Sequence, residues 1–194
     1  MKQIIFVIGI VGMPGSGKST ALEALEKEKN AKVVCMGDRV REKVTQAGLP
    51  ITPENLGRMA ENLRKDHGPD VVAILTIEKI KEISRDGDFI VIDGIRSMHE
   101  VEIFRKHWDM PLLALDSPKE TRHARLRERK REDDSLDEGY FNMRDERELN
   151  FGVGEAIKQA SSTIKNLSST TIAQLQEEVV KQVNALMKAL KGKN

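Results

Sequence analysis

A single cysteine, Cys35, stands among 194 residues, which excludes a disulfide framework or a cysteine-rich zinc module and fits a reducing, cytoplasmic setting. An excess of charge of one sign is lacking too. With 32 Lys plus Arg against 31 Asp plus Glu, the formal charge is +1, so no global field directs the chain to nucleic acid or an anionic membrane. Electrostatic recognition has to be local. Long hydrophobic runs are missing: the apolar stretch from Ile4 to Val11 is far shorter than a bilayer span, and it leads into GMPGSGKST instead of a small-residue cleavage site. There is no internal repeat and no low-complexity linker. What is present is an apolar fraction of 39%, enough for the core of one ordinary domain.

Short β-branched runs recur at Gln3 to Val11, Lys32 to Met36, Phe89 to Asp93, Leu112 to Asp116 and Ser162 to Lys165, with helical periodicity between them. This alternation predicts βαβ units around a parallel sheet. Capping-box spacing marks helix starts at Ser97 with Glu100, Ser117 with Glu120, Ser135 with Glu138 and Thr171 with Gln174. The last helix repeats Ile172, Leu175, Val179, Val183, Leu186 and Leu190, one stripe expected to lie against the sheet. Two regions read as insertions. Asp38 to Arg85 holds about three helical segments broken at Gly48-Leu49-Pro50 and His67-Gly68-Pro69, and Arg122 to Gly154 is a charged helix pair.

The segment Gly12-Met13-Pro14-Gly15-Ser16-Gly17-Lys18-Ser19 carries glycines, Lys and Ser at the spacing of a phosphate-binding loop, between a strand and a helix-forming stretch. Gly12, Gly15 and Gly17 let backbone N–H groups converge on an anion, Pro14 and Ser16 complete the turn, and the following helix presents its positive end. Lys18 is expected to bridge β- and γ-phosphate oxygens, Ser19 to coordinate Mg²⁺ and Thr20 to face the α-phosphate. The apolar run Phe89 to Ile92 ends in Asp93, placed to hold Mg²⁺ through water. No Asn is followed directly by Lys, so the guanine-reading Asn-Lys-x-Asp motif of Ras-like GTPases is absent.

With these motifs the chain resembles, over essentially its whole length, the P-loop nucleoside monophosphate kinase and dephospho-coenzyme A kinase group. Within it the resemblance is closest to the archaeal adenylate-kinase-related, dephospho-coenzyme-A-kinase-like proteins. Gly12-Met13-Pro14-Gly15 gives the Pro-containing cradle of adenylate kinases, Met36-Gly37-Asp38-Arg39-Val40-Arg41 resembles the segment opening their acceptor helices, and Asp93-Gly94-Ile95-Arg96 resembles their Asp-Gly-Phe-Pro-Arg segment, one residue shorter and without Pro. The resemblance implies an α/β, three-layer P-loop NTPase fold with a five-stranded parallel sheet. One kinase domain spans 1–194, with a core of 1–37, 86–121 and 155–194, a helical acceptor-binding insert at 38–85 and a helical lid at 122–154. It also implies ATP and Mg²⁺ as cofactors.

The same resemblance makes Asp38, Arg41 and Arg96 acceptor-binding residues and gives the lid arginines a catalytic role beside Lys18. Arg122, Arg125 and Arg129 share one helical face by spacing, so Arg125 and Arg129 are expected to act together on the transferred group. Asn166, in the turn after the last strand, is expected beside the adenine. The leading expectation is an Mg-ATP-dependent nucleoside monophosphate kinase. A dephospho-coenzyme A kinase, with Asp38 taking the proton of a ribose hydroxyl, is the second. The third is a nucleotide-dependent regulator or nucleic-acid-associated ATPase using the basic stretch Lys119 to Arg131. The five acidic residues within Glu132 to Glu138 weigh against it. Partners are then a nucleoside triphosphate and a small phosphorylated acceptor, with no membrane and no nucleic acid. The histidines show no metal-ligand spacing, Cys35 reads as a small core residue and Trp108 as a packing anchor.

Overall fold

The apolar runs become strands because both of their faces are covered. In the computed structural model, which describes residues 5–129 and 138–192, β1 (Phe6–Val11), β2 (Lys32–Cys35), β3 (Phe89–Asp93), β4 (Leu112–Asp116) and β5 (Ser162–Lys165) form one parallel sheet in the order β2-β3-β1-β4-β5. Alternate residues sort to opposite layers, as the strand period requires. Val7, Val11, Ile90, Ile92, Leu112 and Ala114 face one core with α4 (Val71–Ile83), α5 (Met98–Arg105) and α8 (Val153–Lys158). Ile8, Ile10, Phe89, Val91, Leu113 and Leu115 face the other with α1 (Lys18–Lys29) and α9 (Ile172–Lys191). Pairing of Gly9 with both Ile92 and Leu112, Cys35 with Asp93 and Asp116 with Lys165 brings the carboxyl ends of all five strands to one edge. That edge is where open α/β sheets bind ligands.

Between β2 and β3 lie three helices, α2 (Met36–Gln46), α3 (Pro53–His67) and α4, with breaks at the two glycine-proline clusters. Thr52 caps α3, its side chain accepting from the Asn55 amide at 3.2 Å, with Pro53 in the first turn where no amide donor is needed. After β4 come α6 (Lys119–Arg129) and α7 (Glu138–Phe151). The Thr171 and Gln174 capping box forms reciprocally, whereas at Ser97 only half of it does: Glu100 instead accepts from the Arg96 amide at 2.8 Å. Ser135 lies outside the described residues. The α9 stripe buries Leu175, Val179 and Val183, but Ile172, the first residue of the helix, is 69% exposed. Among the described residues no helix is long and apolar enough to cross a membrane.

Candidate phosphate-binding active site

The turn from β1 into α1 is pressed into shape from outside. Gly15 and Gly17 have φ of 78° and 102°, a region that L side chains rarely adopt. A Cβ at Gly15 would stand 2.6 Å from the Arg122 carbonyl oxygen, and one at Gly17 would stand 2.5 Å from Asn166 Nδ2. Lys18 Nζ donates to the carbonyls of Gly12 at 2.6 Å and Met13 at 3.2 Å. Burial pushes the Lys18 ammonium below its ordinary pKa, the carboxylates of Asp93 and Glu148 oppose that, and Arg144 and Arg96 add to the lowering. Ser19, on the first turn of α1, is exposed, and Thr20 is half-buried. Two buried oxygens here, Ser16 Oγ and Asp93 Oδ1, have no hydrogen-bond partner. An orphaned carboxylate oxygen, an exposed helix-start hydroxyl and a lysine held only by carbonyls fit a polyphosphate with a hydrated divalent cation.

Two braces hold the turn. Arg122, buried in α6, forms a bidentate pair with Asp145 of α7 at 2.8 and 2.6 Å and also donates to the Pro14 carbonyl at 3.0 Å. His123 Nε2 lies 3.2 Å from the same carboxylate, with its ring tilted against Phe141. Burial alone would raise the Asp145 pKa, but the hydrogen bonds and charge of Arg122, then of His123, outweigh it and hold the carboxyl below its usual range. On the other side, Asn166 Nδ2 donates to the Ser16 carbonyl at 2.9 Å, while Asn166 Oδ1 accepts from Arg125 at 3.1 Å. Arg125 also donates to the Leu167 carbonyl at 2.8 Å.

Arg122 and Arg125, which their spacing puts on one helical face, therefore have different partners. Three residues along a helix leave about 60° of rotation between them, enough for one to meet α7 and the other the β5–α9 turn. The side chain of Arg129 lies outside the described residues, as does Arg131.

Across the strand ends, Asp38 and Arg41 pair with each other at 2.9 Å, both half exposed. The buried arginine of this motif is Arg39, bound to Glu42 at 2.8 Å. Cys35 ends β2 with its thiol 4.0 Å from Asp93 Oδ2. Burial first, then the carboxylates of Asp93 and Asp38, push its pKa up, so it stays a neutral thiol at physiological pH. Arg96 is held by Glu148 through Nε at 3.3 Å. Its guanidinium lies 5.3 Å from the centre of the Phe151 ring, which Arg64 of α3 also approaches at 5.6 Å.

The family model described as "AAA domain" matches residues 8–149, from within β1 to near the end of α7. UPF0200 protein MJ1399 of Methanocaldococcus jannaschii is 43% identical over 165 residues, covering 85% of this chain and 83% of its own. The chain belongs to the UPF0200 family. Its fold is that of P-loop kinases. It is similar to a gluconokinase from Sinorhizobium meliloti (TM-score 0.57, 14% identity, 99% of both chains covered). A shikimate kinase from Bacteroides thetaiotaomicron is also similar (TM-score 0.52, 16% identity, 94% of this chain and 98% of the other).

The sequence reading passed over Asp145, Glu148 and Phe151 of this UPF0200 chain, and it also missed Arg64. All four are ordinary helix residues whose partners lie at least 22 positions away in the chain or on another element, and no local motif marks them. A usable signal was the spacing of Asp145, Glu148 and Phe151 at steps of three, which puts them on neighbouring turns of one face.

Proposed function

We propose that the chain is an Mg-ATP-dependent phosphotransferase that moves the γ-phosphoryl group to a nucleoside monophosphate. The observation that carries this reading is the externally braced glycine turn, with the half-buried Lys18 held on its carbonyls and within electrostatic reach of Asp93, whose Oδ1 is buried without a partner, and of Arg96. Residues Gly12, Pro14, Gly15, Ser16, Gly17, Lys18, Ser19 and Thr20 would cradle the triphosphate. Ser19, and Asp93 through water, would hold Mg²⁺. When bound, Mg-ATP supplies the transferable phosphoryl group and a divalent charge on its oxygens.

The chain's own work is to position and neutralise. Lys18 exchanges the carbonyls of Gly12 and Met13 for phosphate oxygens and follows the charge that moves during transfer. Arg96 and Arg41 grip the acceptor, the latter after release from Asp38. A monophosphate is already anionic, so no general base is needed and alignment carries the rate. Residues 38–85 then form the acceptor-binding insert and 122–154 the lid, with Arg129 closing on the phosphates. Asn166 and Arg125 shape the turn expected beside the adenine.

One observation favours a second reading. Asp38 stands in the first turn of α2, just past the end of β2, with a carboxylate held by Arg41, and the solved structures similar in fold include proteins named gluconokinase and shikimate kinase. On that reading Asp38 takes the proton of a hydroxyl acceptor such as dephospho-coenzyme A.

The test is an acceptor screen with ATP and Mg²⁺: AMP, CMP, UMP, GMP, dephospho-coenzyme A, gluconate and shikimate, read as ADP above the acceptor-free background. Turnover with a monophosphate supports the proposal. Background hydrolysis alone with all seven removes it in favour of a regulatory ATPase. With an active acceptor in hand, Asp38→Asn separates the two mechanisms: about a tenfold loss of turnover fits a phosphate acceptor, and a loss of about a thousandfold or more fits a hydroxyl.

A further inference from the structure

Asp145, Glu148 and Phe151 follow one another at steps of three on α7, and each holds an arginine from elsewhere in the chain. Asp145 takes Arg122, whose other contact is the Pro14 carbonyl in the glycine turn. Glu148 takes Arg96, and Phe151 takes the guanidinium faces of both Arg96 and Arg64. The Glu148 side chain is only 10% exposed. It lies close enough to Lys18 for its charge to favour the ammonium form.

The way Arg96 is held matters. The nearest approach of Glu148 to Arg96 is at Nε, the guanidinium nitrogen closest to the aliphatic stem, and the Phe151 ring packs on the same guanidinium with its centre 5.3 Å away. The Arg96 side chain stays 40% exposed, so the guanidinium keeps open surface for a contact with an oxyanion. Glu148 sits one turn after Asp145, in a helix already locked to α6 and the glycine turn by a buried bidentate pair. Its carboxylate is therefore fixed in the same frame as the phosphate cradle.

We propose that Glu148 and Phe151 are positioning residues that aim Arg96 at the phosphomonoester of the acceptor. Helix α7 thereby sets the acceptor's anion in register with Lys18. This rests on the phosphotransferase reading above, in which Arg96 grips the acceptor. A positioning carboxylate and a carboxylate that merely fills an empty phosphate site make opposite predictions. Removing the first weakens acceptor binding, whereas removing the second tightens nucleotide binding.

The experiment uses the full chain, with AMP, CMP, UMP and GMP as acceptors and ATP as donor. Glu148→Gln keeps size and hydrogen bonding and removes charge. It should raise the acceptor KM about tenfold, a typical coupling between contacting residues. Meanwhile kcat should fall less and the ATP KM should stay within about twofold. Glu148→Asp recovers part of the loss. Phe151→Leu, at a partly exposed position, raises the acceptor KM by a smaller factor and carries the test if Glu148→Gln does not fold. In an Arg96→Ala background, Glu148→Gln has no further effect.

An unchanged acceptor KM in Glu148→Gln, a full second loss on top of Arg96→Ala, or tighter ATP binding would each overturn the inference. If the wild type transfers to none of the four acceptors, the nucleotide-kinase reading and this inference fall together. If it transfers normally and Glu148→Gln matches it, only the inference falls.

Discussion

The two sides of the strand-end edge are built differently. On the side of the glycine turn, the bracing polar groups are paired, Arg122 with Asp145 and Pro14 and Asn166 with Ser16 and Arg125, while the buried Ser16 Oγ and Asp93 Oδ1 have no partner. On the side of α2 and α3, Asp38 and Arg41 pair with each other in solvent, and α3 has no fully buried residue. Buried, satisfied polar networks rigidify, while exposed ion pairs contribute little and rearrange readily. The nucleotide side is thus preformed, and the acceptor side completes itself when it has something to hold. Helix α7 touches both, with Asp145 facing the first side and Glu148 and Phe151 the second.

The sharpest way to break this contrast is at the preformed side. Lys18→Ala should lower turnover by about a thousandfold or more while leaving a folded protein, because the ammonium acts on charge that develops in the transition state. Steady-state ADP release alongside a thermal melt checks both halves, and an active, folded variant would refute the role given to Lys18.

Next in size is Asp145→Asn, which strands Arg122 in a buried site and should cost about 3 kcal/mol at neutral pH by denaturant unfolding. The sign with pH follows from the lowered folded pKa of Asp145. Its stabilisation is present above the unfolded carboxyl value of about 3.9 and fades as pH falls through the folded value. The gap between wild type and Asp145→Asn should therefore close in strong acid and stay constant from about pH 5 to 8. A gap that widens in acid would show the pairing to be wrongly assigned.

The smallest stability effect is expected on the open side. Arg41→Ala should change unfolding free energy by less than about 0.5 kcal/mol, as befits an exposed pair. It should still raise the acceptor KM about tenfold, the loss of one charge-assisted contact. A large loss of stability would mean that the acceptor side is as preformed as the nucleotide side.

The same contrast separates what could be read from sequence. The strands were legible because their residues are apolar on both faces and short, and the phosphate turn because Gly15 and Gly17 occupy backbone conformations that few other residues tolerate. The three helices between β2 and β3 were marked by their Gly-Pro breaks. Each is a local signal. The braces were not legible, since Arg122 finds Asp145 and Asn166 finds Ser16 only once the chain has folded, across 23 and 150 positions. A shared helical face suggested that Arg122 and Arg125 would cooperate, and the tertiary environment gave them different partners. Helix α7 carries weak amphipathic patterning and ordinary charges, so apart from its three-residue spacing to Asp145 and Phe151 nothing local distinguished Glu148 from a solvated surface residue.

The central claim is that the turn after β1 is a preassembled cradle for a nucleoside triphosphate. Isothermal titration of Mg-ATP into the wild-type chain tests it most directly. The account expects one saturable site per chain that is lost when the wild-type protein is titrated with adenosine instead. A folded protein that shows no saturable heat with Mg-ATP, or that binds adenosine as well as the triphosphate, would contradict it.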